Sequence, residues 1–346
     1  MFRPSALILF PVVVLSASYC HAALLLTNLY TGNVGLSVDG VGSNSSPVGA
    51  LQAEIPVGAT IQQAYLYAAG TPSPWYASSP TTLAEYNGAG ITLGGNAITN
   101  FSKLVGAISD RPEIGRWYTG RADVTTVVQG LVAADPLNPS PSWTYTEGPG
   151  LNSFIDGGVL VVVYEHASLP DGSVVLYDGG QSTGGETTNV NFAGPLDTTV
   201  PGFFANMSLA ISFSTTDAQT STIDINGTRL TSAAGGFDDG ISSDGGLLTA
   251  GGIGDSIANP ADPMSVVSAD DELYDLTPFL SDNDAFFAIT TENTSDDDNI
   301  FFLGLHVAAR IVPEPSSFVL AGVGLFTLAG SAVARRRRRS LARGNR

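Results

Sequence analysis

Gly158-Val159-Leu160-Val161-Val162-Val163-Tyr164-Glu165 is the stretch on which the fold turns. From Val159 to Tyr164 no polar residue interrupts the run, and four of its six residues are β-branched valines. Branching at Cβ favours the extended backbone. A strand with one wet face alternates apolar and polar side chains, so a continuous run predicts a central strand covered on both faces.

Other short runs rich in β-branched and aromatic residues surround it: Ile61 to Ala69, Ser173 to Tyr177, Ser208 to Ser214, Ser221 to Ile225 and Asn299 to Val312. Turn signals separate them, among them Asp39-Gly40, Asn87-Gly88, Asp156-Gly157, Asp171-Gly172, Asp178-Gly179 and Asn226-Gly227. Asp and Asn before Gly tolerate the positive φ that two-residue hairpins need. Forty glycines and twenty prolines suit a chain that turns often. One segment reads differently: Asp123 to Gly130, with a cap-like Asp and a closing Gly, predicts a single short helix. The expected architecture is mainly β, an antiparallel β-sandwich of jelly-roll or immunoglobulin-like type, either one large or two in tandem. Gly179 to Gly185 breaks the pattern, so residues 23–180 and 181–311 are expected as the two parts, whether domains or halves.

Both ends of the chain read as addresses. Arg3, the apolar core Ala6 to Leu15 and the small residues near Ala22 make a secretory signal over 1–22, cut by signal peptidase after Ala22 or, alternatively, after Ala23. Either cut removes Cys20, the only cysteine, so the exported part has no disulfide, thiolate nucleophile or cysteine metal site. Between 24 and 312 there are 31 acidic residues against 6 basic ones. So acidic a surface repels nucleic acid and anionic membranes and attracts divalent cations.

At the other end, Pro313-Glu314-Pro315 precedes an uncharged apolar segment, 318–334, and the block Arg335, Arg336, Arg337, Arg338 and Arg339. Seventeen residues at about 1.5 Å rise make a helix of roughly 26 Å, enough to cross a thin bilayer core. The arginines predict that the extreme end stays cytoplasmic and residues 24–312 are exported. Tripeptide, apolar helix and arginine cluster, in this order over 312–346, resemble the PEP-CTERM sorting signal of Gram-negative bacteria. The resemblance implies that Pro313, Glu314 and Pro315 are a substrate site for an exosortase, a membrane protease-transpeptidase. It also implies a brief single-pass stay in the inner membrane, then release to the cell surface or the extracellular polysaccharide. A permanent inner-membrane anchor is the alternative. The phrases Ala64-Tyr65-Leu66-Tyr67 and Leu176-Tyr177-Asp178-Gly179 also look like those of uncharacterised bacterial surface domains that carry such tails.

Candidate sites within the exported part are few. Asp270, Asp271, Glu272 and Asp275, with Asp296, Asp297 and Asp298, form the densest carboxylate cluster. Calcium takes six to eight oxygens, so this is a candidate calcium site, although the spacing matches neither the helix-loop-helix pattern nor the glycine-aspartate nonapeptide. Solvated loop charge is the alternative, and no other cofactor is expected. Trp75, Trp117 and Trp143 lie beside Pro, Gly or Ser, where a ring either stacks on a sugar or plugs the end of a sandwich. His166 and His306 are too few for a catalytic zinc, and no Gly-x-Ser-x-Gly elbow appears. The reading is therefore a non-catalytic cell-surface or matrix protein, with exopolysaccharide as its expected partner. Two alternatives stand beside it. One is a secreted hydrolase using a pair among Glu54, Glu85, Glu165 and Glu186; the other is an anchored periplasmic binding protein.

Overall fold

The computed structural model describes residues 24–43, 46–70, 82–108, 116–148, 155–181, 184–212, 221–234, 248–257, 272–293 and 299–313. Its first half runs β1 (Leu25–Gly32), β2 (Val34–Gly42), β3 (Val48–Gln52), β4 (Thr60–Gly70), α1 (Leu83–Gly88), β5 (Thr92–Leu93), β6 (Asn96–Ala97), β7 (Phe101–Ile108), β8 (Arg116–Asp123), α2 (Thr125–Ala134), β9 (Ser142–Thr146) and β10 (Ile155–Glu165). The second continues with β11 (Gly172–Asp178), β12 (Glu186–Phe192), β13 (Ala205–Ser212), β14 (Ser221–Ile225), β15 (Thr228–Ala234), β16 (Leu248–Ala250), β17 (Leu273–Asp275), β18 (Phe286–Asn293), β19 (Asn299–Val307) and β20 (Ile311–Val312). Each strand pair among them is antiparallel.

The valine run is β10, between β2 and β4 in a sheet ordered β2-β10-β4-β8-β7. Its even residues Leu160, Val162 and Tyr164 enter one core with Leu51, Tyr86, Trp143 and Tyr145. Its odd residues Val159, Val161 and Val163 enter another with Tyr67, Val174, Leu176 and Phe301. Each such burial contributes about 1.5–3 kcal/mol, so both faces of the strand are committed. The even core is closed by the sheet β3-β9-β5-β6 and by the two helices. The odd core is closed by β1-β11-β19-β13-β16, with β17 also on β13. That sheet in turn packs its other face on β15-β14-β18-β12-β20, around Met207, Leu209, Phe287 and Leu305. The result is four β layers: two sandwiches set back to back through their inner sheets.

The chain passes between the sandwiches twice, and both crossings meet. β1 pairs with β11 in the second inner sheet, yet β2 lies in the first. Asn33, at this crossing, donates from Nδ2 to the Leu169 carbonyl (2.6 Å), while its own carbonyl accepts from the His166 amide (2.9 Å). Residues 166–171 are the second crossing, from β10 to β11. The transition thus falls ahead of the Gly179–Gly185 stretch, and the first strand belongs with the second half.

Local expectations fared unevenly. Asn226 (φ 52°) and Gly227 (φ 76°) make the two-residue hairpin between β14 and β15, as Asn-Gly predicts. Asp39-Gly40 instead lies inside β2, and Asn87-Gly88 closes α1, whose Thr82/Glu85 capping box went unremarked. The expected helix forms but runs through Gly130 to Ala134; Asp123 still accepts the Thr125 amide at 2.9 Å. At 130 a Cβ would meet open space, so nothing there stops the helix. Gly251 has a stricter role. It follows β16 and abuts Glu272, the residue before β17, on the edge of β13, where an added Cβ would lie 1.9 Å from the Glu272 carbonyl oxygen.

Candidate functional site

Two places on this scaffold carry the functional argument, the exit of the tail and a cleft between the sandwiches. At the exit, β20 pairs with the end of β12, and Ile311 is 4% exposed in the second core. The Ile311 amide donates to Ser173 Oγ (2.9 Å), and the Ala193 amide to the Arg310 carbonyl (2.7 Å). Arg310 grips Asp171 with Nε to Oδ2 at 2.8 Å and Nη2 to Oδ1 at 2.5 Å. The chain is therefore held firmly up to Val312, and the next residue, Pro313, is exposed. Phe286 and Val312 flank Asn191 across the sheet and stand 53% and 40% exposed beside this exit. Four residues separate Pro313 from the start of the apolar segment at Phe318, a reach of at most about 18 Å. Glu314, Pro315, Arg335, Arg336, Arg337, Arg338 and Arg339 lie outside the described residues, as does the apolar segment. Among the described residues no helix is long and apolar enough to cross a membrane.

The cleft, of about 240 Å³, wraps the outer edge of β2 where the two inner sheets meet. Glu54 and Tyr164 come to it from the first sandwich, Asn206, Ser208 and His306 from the second. Residues 251–253 close one side, the Ile253 amide donating to the Val38 carbonyl at 3.0 Å. Tyr164 lays its ring over Gly35 opposite it in the ladder; a Cβ on Gly35 would fall 2.6 Å from that ring. Burial and the neighbouring Glu54 charge raise the Tyr164 phenol, keeping it protonated. His306 Nε2 lies 3.0 Å from the Val34 carbonyl, which can only accept, so this nitrogen carries the proton. Burial lowers the His306 pKa and holds the ring neutral, leaving Nδ1 as an acceptor; the ring packs edge-on against Phe204 at 4.6 Å. Ser208 Oγ is used, donating to the Gly251 carbonyl. The side chains of Glu54, Tyr164 and Asn206 make no hydrogen bond among the described residues.

The residues singled out in the sequence are scattered. Trp143 is 8% exposed on β9 and plugs the first core, so its face is not on offer to a sugar. Trp117 lies in β8, its side chain outside the described residues, and Trp75 lies wholly outside them, as do Ala22 and Ala23. In the carboxylate cluster, Glu272 points inward, fully buried, and accepts from Thr249 Oγ1 at 2.5 Å. Asp275 accepts the Thr277 amide at 2.8 Å. Asp270, Asp271, Asp296, Asp297 and Asp298 lie outside the described residues, and no cluster of three metal-ligating side chains occurs among the described ones. Three of the four glutamates considered for catalysis serve separate partners, and the fourth stands apart from them in the cleft. Glu85 caps α1, Glu165 accepts from Gln62 (3.1 Å), Glu186 accepts the Leu24 amide (3.1 Å), and Glu54 lines the cleft. His166 is a half-buried loop residue whose Nδ1 lies 2.6 Å from Ser168 Oγ.

Sequence reasoning missed the polar network that joins the sandwiches. Asp178, wholly buried, receives Arg121 and the hydroxyls of Tyr67 (3.1 Å) and Thr27 (2.8 Å). Arg121 also stacks over Tyr65 at 4.5 Å. Asp178 stood in the sequence as half of a turn dipeptide, and only the few basic residues in this acidic chain mark Arg121 as a partner.

Comparison with known proteins bears on the tail alone. No curated protein matches this chain. The family description "PEP-CTERM protein-sorting motif" matches residues 312–339, which begin at the last residue of β20 and end at the last arginine of the block. The chain therefore carries a PEP-CTERM protein-sorting motif at its C-terminal end.

Proposed function

We propose that this chain is a non-catalytic surface protein, exported through its N-terminal signal, processed by an exosortase-type membrane protease at Pro313-Glu314-Pro315, and retained in extracellular polysaccharide. The observation that carries it is the sorting motif starting at the last residue of β20, with Pro313 exposed directly after that pinned strand. With only four residues between Pro313 and the apolar segment at Phe318, a membrane-inserted segment would hold the tripeptide close to the bilayer, where a membrane-embedded enzyme works. Removal of the tail would leave β20 and both sandwiches intact. Glu85, Glu165 and Glu186 each engage a separate partner, which supports a binding role over carboxylate-pair hydrolysis. The excess of negative charge favours a neutral polysaccharide, or one bridged by cations, over an anionic one.

The test is the intact mass and fractionation of the protein from its native host, with and without the gene for the processing enzyme. The expected result is a mature chain ending near Pro313 to Pro315 that leaves the inner membrane only when the enzyme is present. A mature mass that still includes Arg335 to Arg339, in protein retained in the inner membrane, would establish a plain anchor instead.

A further inference from the structure

We infer that the cleft at the edge of β2 is a binding site for a single uncharged sugar residue, with Asn206, Tyr164 and Glu54 as its hydrogen-bonding groups. This deepens the proposed function, resting on its polysaccharide partner, but the site is argued from its own chemistry. The cleft draws side chains from both sandwiches, and three that line it make no hydrogen bond among the described residues: the Asn206 amide, the Tyr164 hydroxyl and the Glu54 carboxylate. Asn226 and Asn87, by contrast, each both donate to and accept from backbone groups.

The inventory of these groups selects the ligand class. Asn206 offers two donors and an acceptor, Tyr164 one of each, Glu54 acceptors only, and His306 an acceptor at Nδ1. A ligand must both donate and accept at neighbouring atoms to satisfy them, which is what vicinal hydroxyls do. Among the described residues no Lys or Arg lines the cleft, so a phosphate, sulfate or carboxylate would meet Glu54 with no counter-charge from them. At about 240 Å³ the space is smaller than the roughly 300–1,000 Å³ of drug-sized sites and suits one ring with its substituents. Leu36, Val38, Ile253, Leu273 and the Tyr164 ring supply apolar wall against which a sugar face can lie, and Gly304 and the Gly251-Gly252 pair add no side chains of their own.

The experiment is saturation-transfer NMR on the full chain in detergent micelles, so that binding is read independently of tail processing. The probes are glucose, galactose and N-acetylglucosamine, with glucuronic acid and glucosamine as charged counterparts. Transfer to at least one neutral sugar is expected, with none to glucuronic acid. Asn206→Ala and Glu54→Gln should each weaken binding about tenfold, the effect of losing hydrogen bonds to a buried ligand, while thermal unfolding stays that of the parent. Tyr164→Phe, which keeps the ring over Gly35, should weaken it less. Transfer that persists unchanged in Asn206→Ala and Glu54→Gln would overturn the site, and so would transfer to none of the neutral sugars. Binding of glucosamine alone, lost in Glu54→Gln, would overturn the ligand class in favour of a cation. The polysaccharide role fails separately, if processed protein leaves the cell without associating with the host's matrix.

Discussion

Glu147 is 2% exposed at the end of β9; its Oε1 accepts the Tyr145 hydroxyl at 3.1 Å, and its Oε2 has no partner among the described residues. Burial pushes its pKa up to about 8, and that of Asp39 in β2 to about 7. Both carboxyls therefore hold a proton at pH values where the unfolded chain has lost it. Between about pH 4 and pH 8 the folded state binds more protons than the unfolded one, so this contribution to stability falls as pH rises. His306 works the other way. Its pKa is lowered, so the unfolded chain takes up the proton first, and stability falls as pH drops below about 6.5. The expected outcome is a urea midpoint that peaks in mildly acidic buffer and declines towards pH 8.5, with Glu147→Gln declining less steeply, by up to about 1.4 kcal/mol per pH unit. Parallel curves for parent and variant would show that Glu147 is ionised in the fold.

At the scale of elements, the informative feature is how edges are closed. Ala53 and Ile55, on and beyond the end of β3, donate their amides to the Pro141 and Pro139 carbonyls on the β9 side. The intervening amides point outward and are met by side chains: Gln52 donates to Asp39 Oδ2 (2.5 Å) and Glu54 to Ser37 Oγ (3.0 Å). Alternate residues of β2 thus cap alternate amides of the neighbouring sheet's edge, at the corner where the first sandwich closes. An exposed edge is a template for pairing with another chain. The double variant Ser37→Ala/Asp39→Ala is expected to lose about 1–3 kcal/mol for each amide left without an acceptor, and to associate with rising concentration in sedimentation velocity. Unchanged melting together with monomeric sedimentation would mean that water serves those amides equally well. The alternation was not legible in the sequence, because Asp39-Gly40 has the composition of a turn.

At the scale of the whole molecule, the two sandwiches share strands, a core and an ion pair. β1 lies in the second sandwich while β2 begins the first; Val159, Val161 and Val163 of one pack on Val174, Leu176 and Phe301 of the other. Breaking the Arg121–Asp178 pair from one side would strand a buried charge at a cost of about 3–5 kcal/mol. Neither sandwich can unfold without exposing the face of its neighbour's inner sheet. Calorimetry of the chain should therefore show one transition, with calorimetric and van't Hoff enthalpies in agreement. Two resolved transitions would mean that the shared core contributes little.

What the sequence determined by itself is whatever a local pattern can encode. The address depends on linear order, a tripeptide, an apolar stretch and a block of charge, and it was readable residue by residue. The β class and the two-sided burial of β10 followed from the unbroken valines, since no other pattern fills cores on both faces of one strand. The Asn226-Gly227 hairpin followed from positive φ. The tertiary structure alone decided the four-layer stacking, the exchange of β1, the inward turn of Glu272 and Trp143, and the meeting of Glu54, Tyr164 and Asn206 at one cleft. Glu54 lies 110 positions from Tyr164 and 152 from Asn206 along the chain. Nothing in the spacing of Glu54 and Asn206 marks them as neighbours, because it is the packing of the two inner sheets that brings them together.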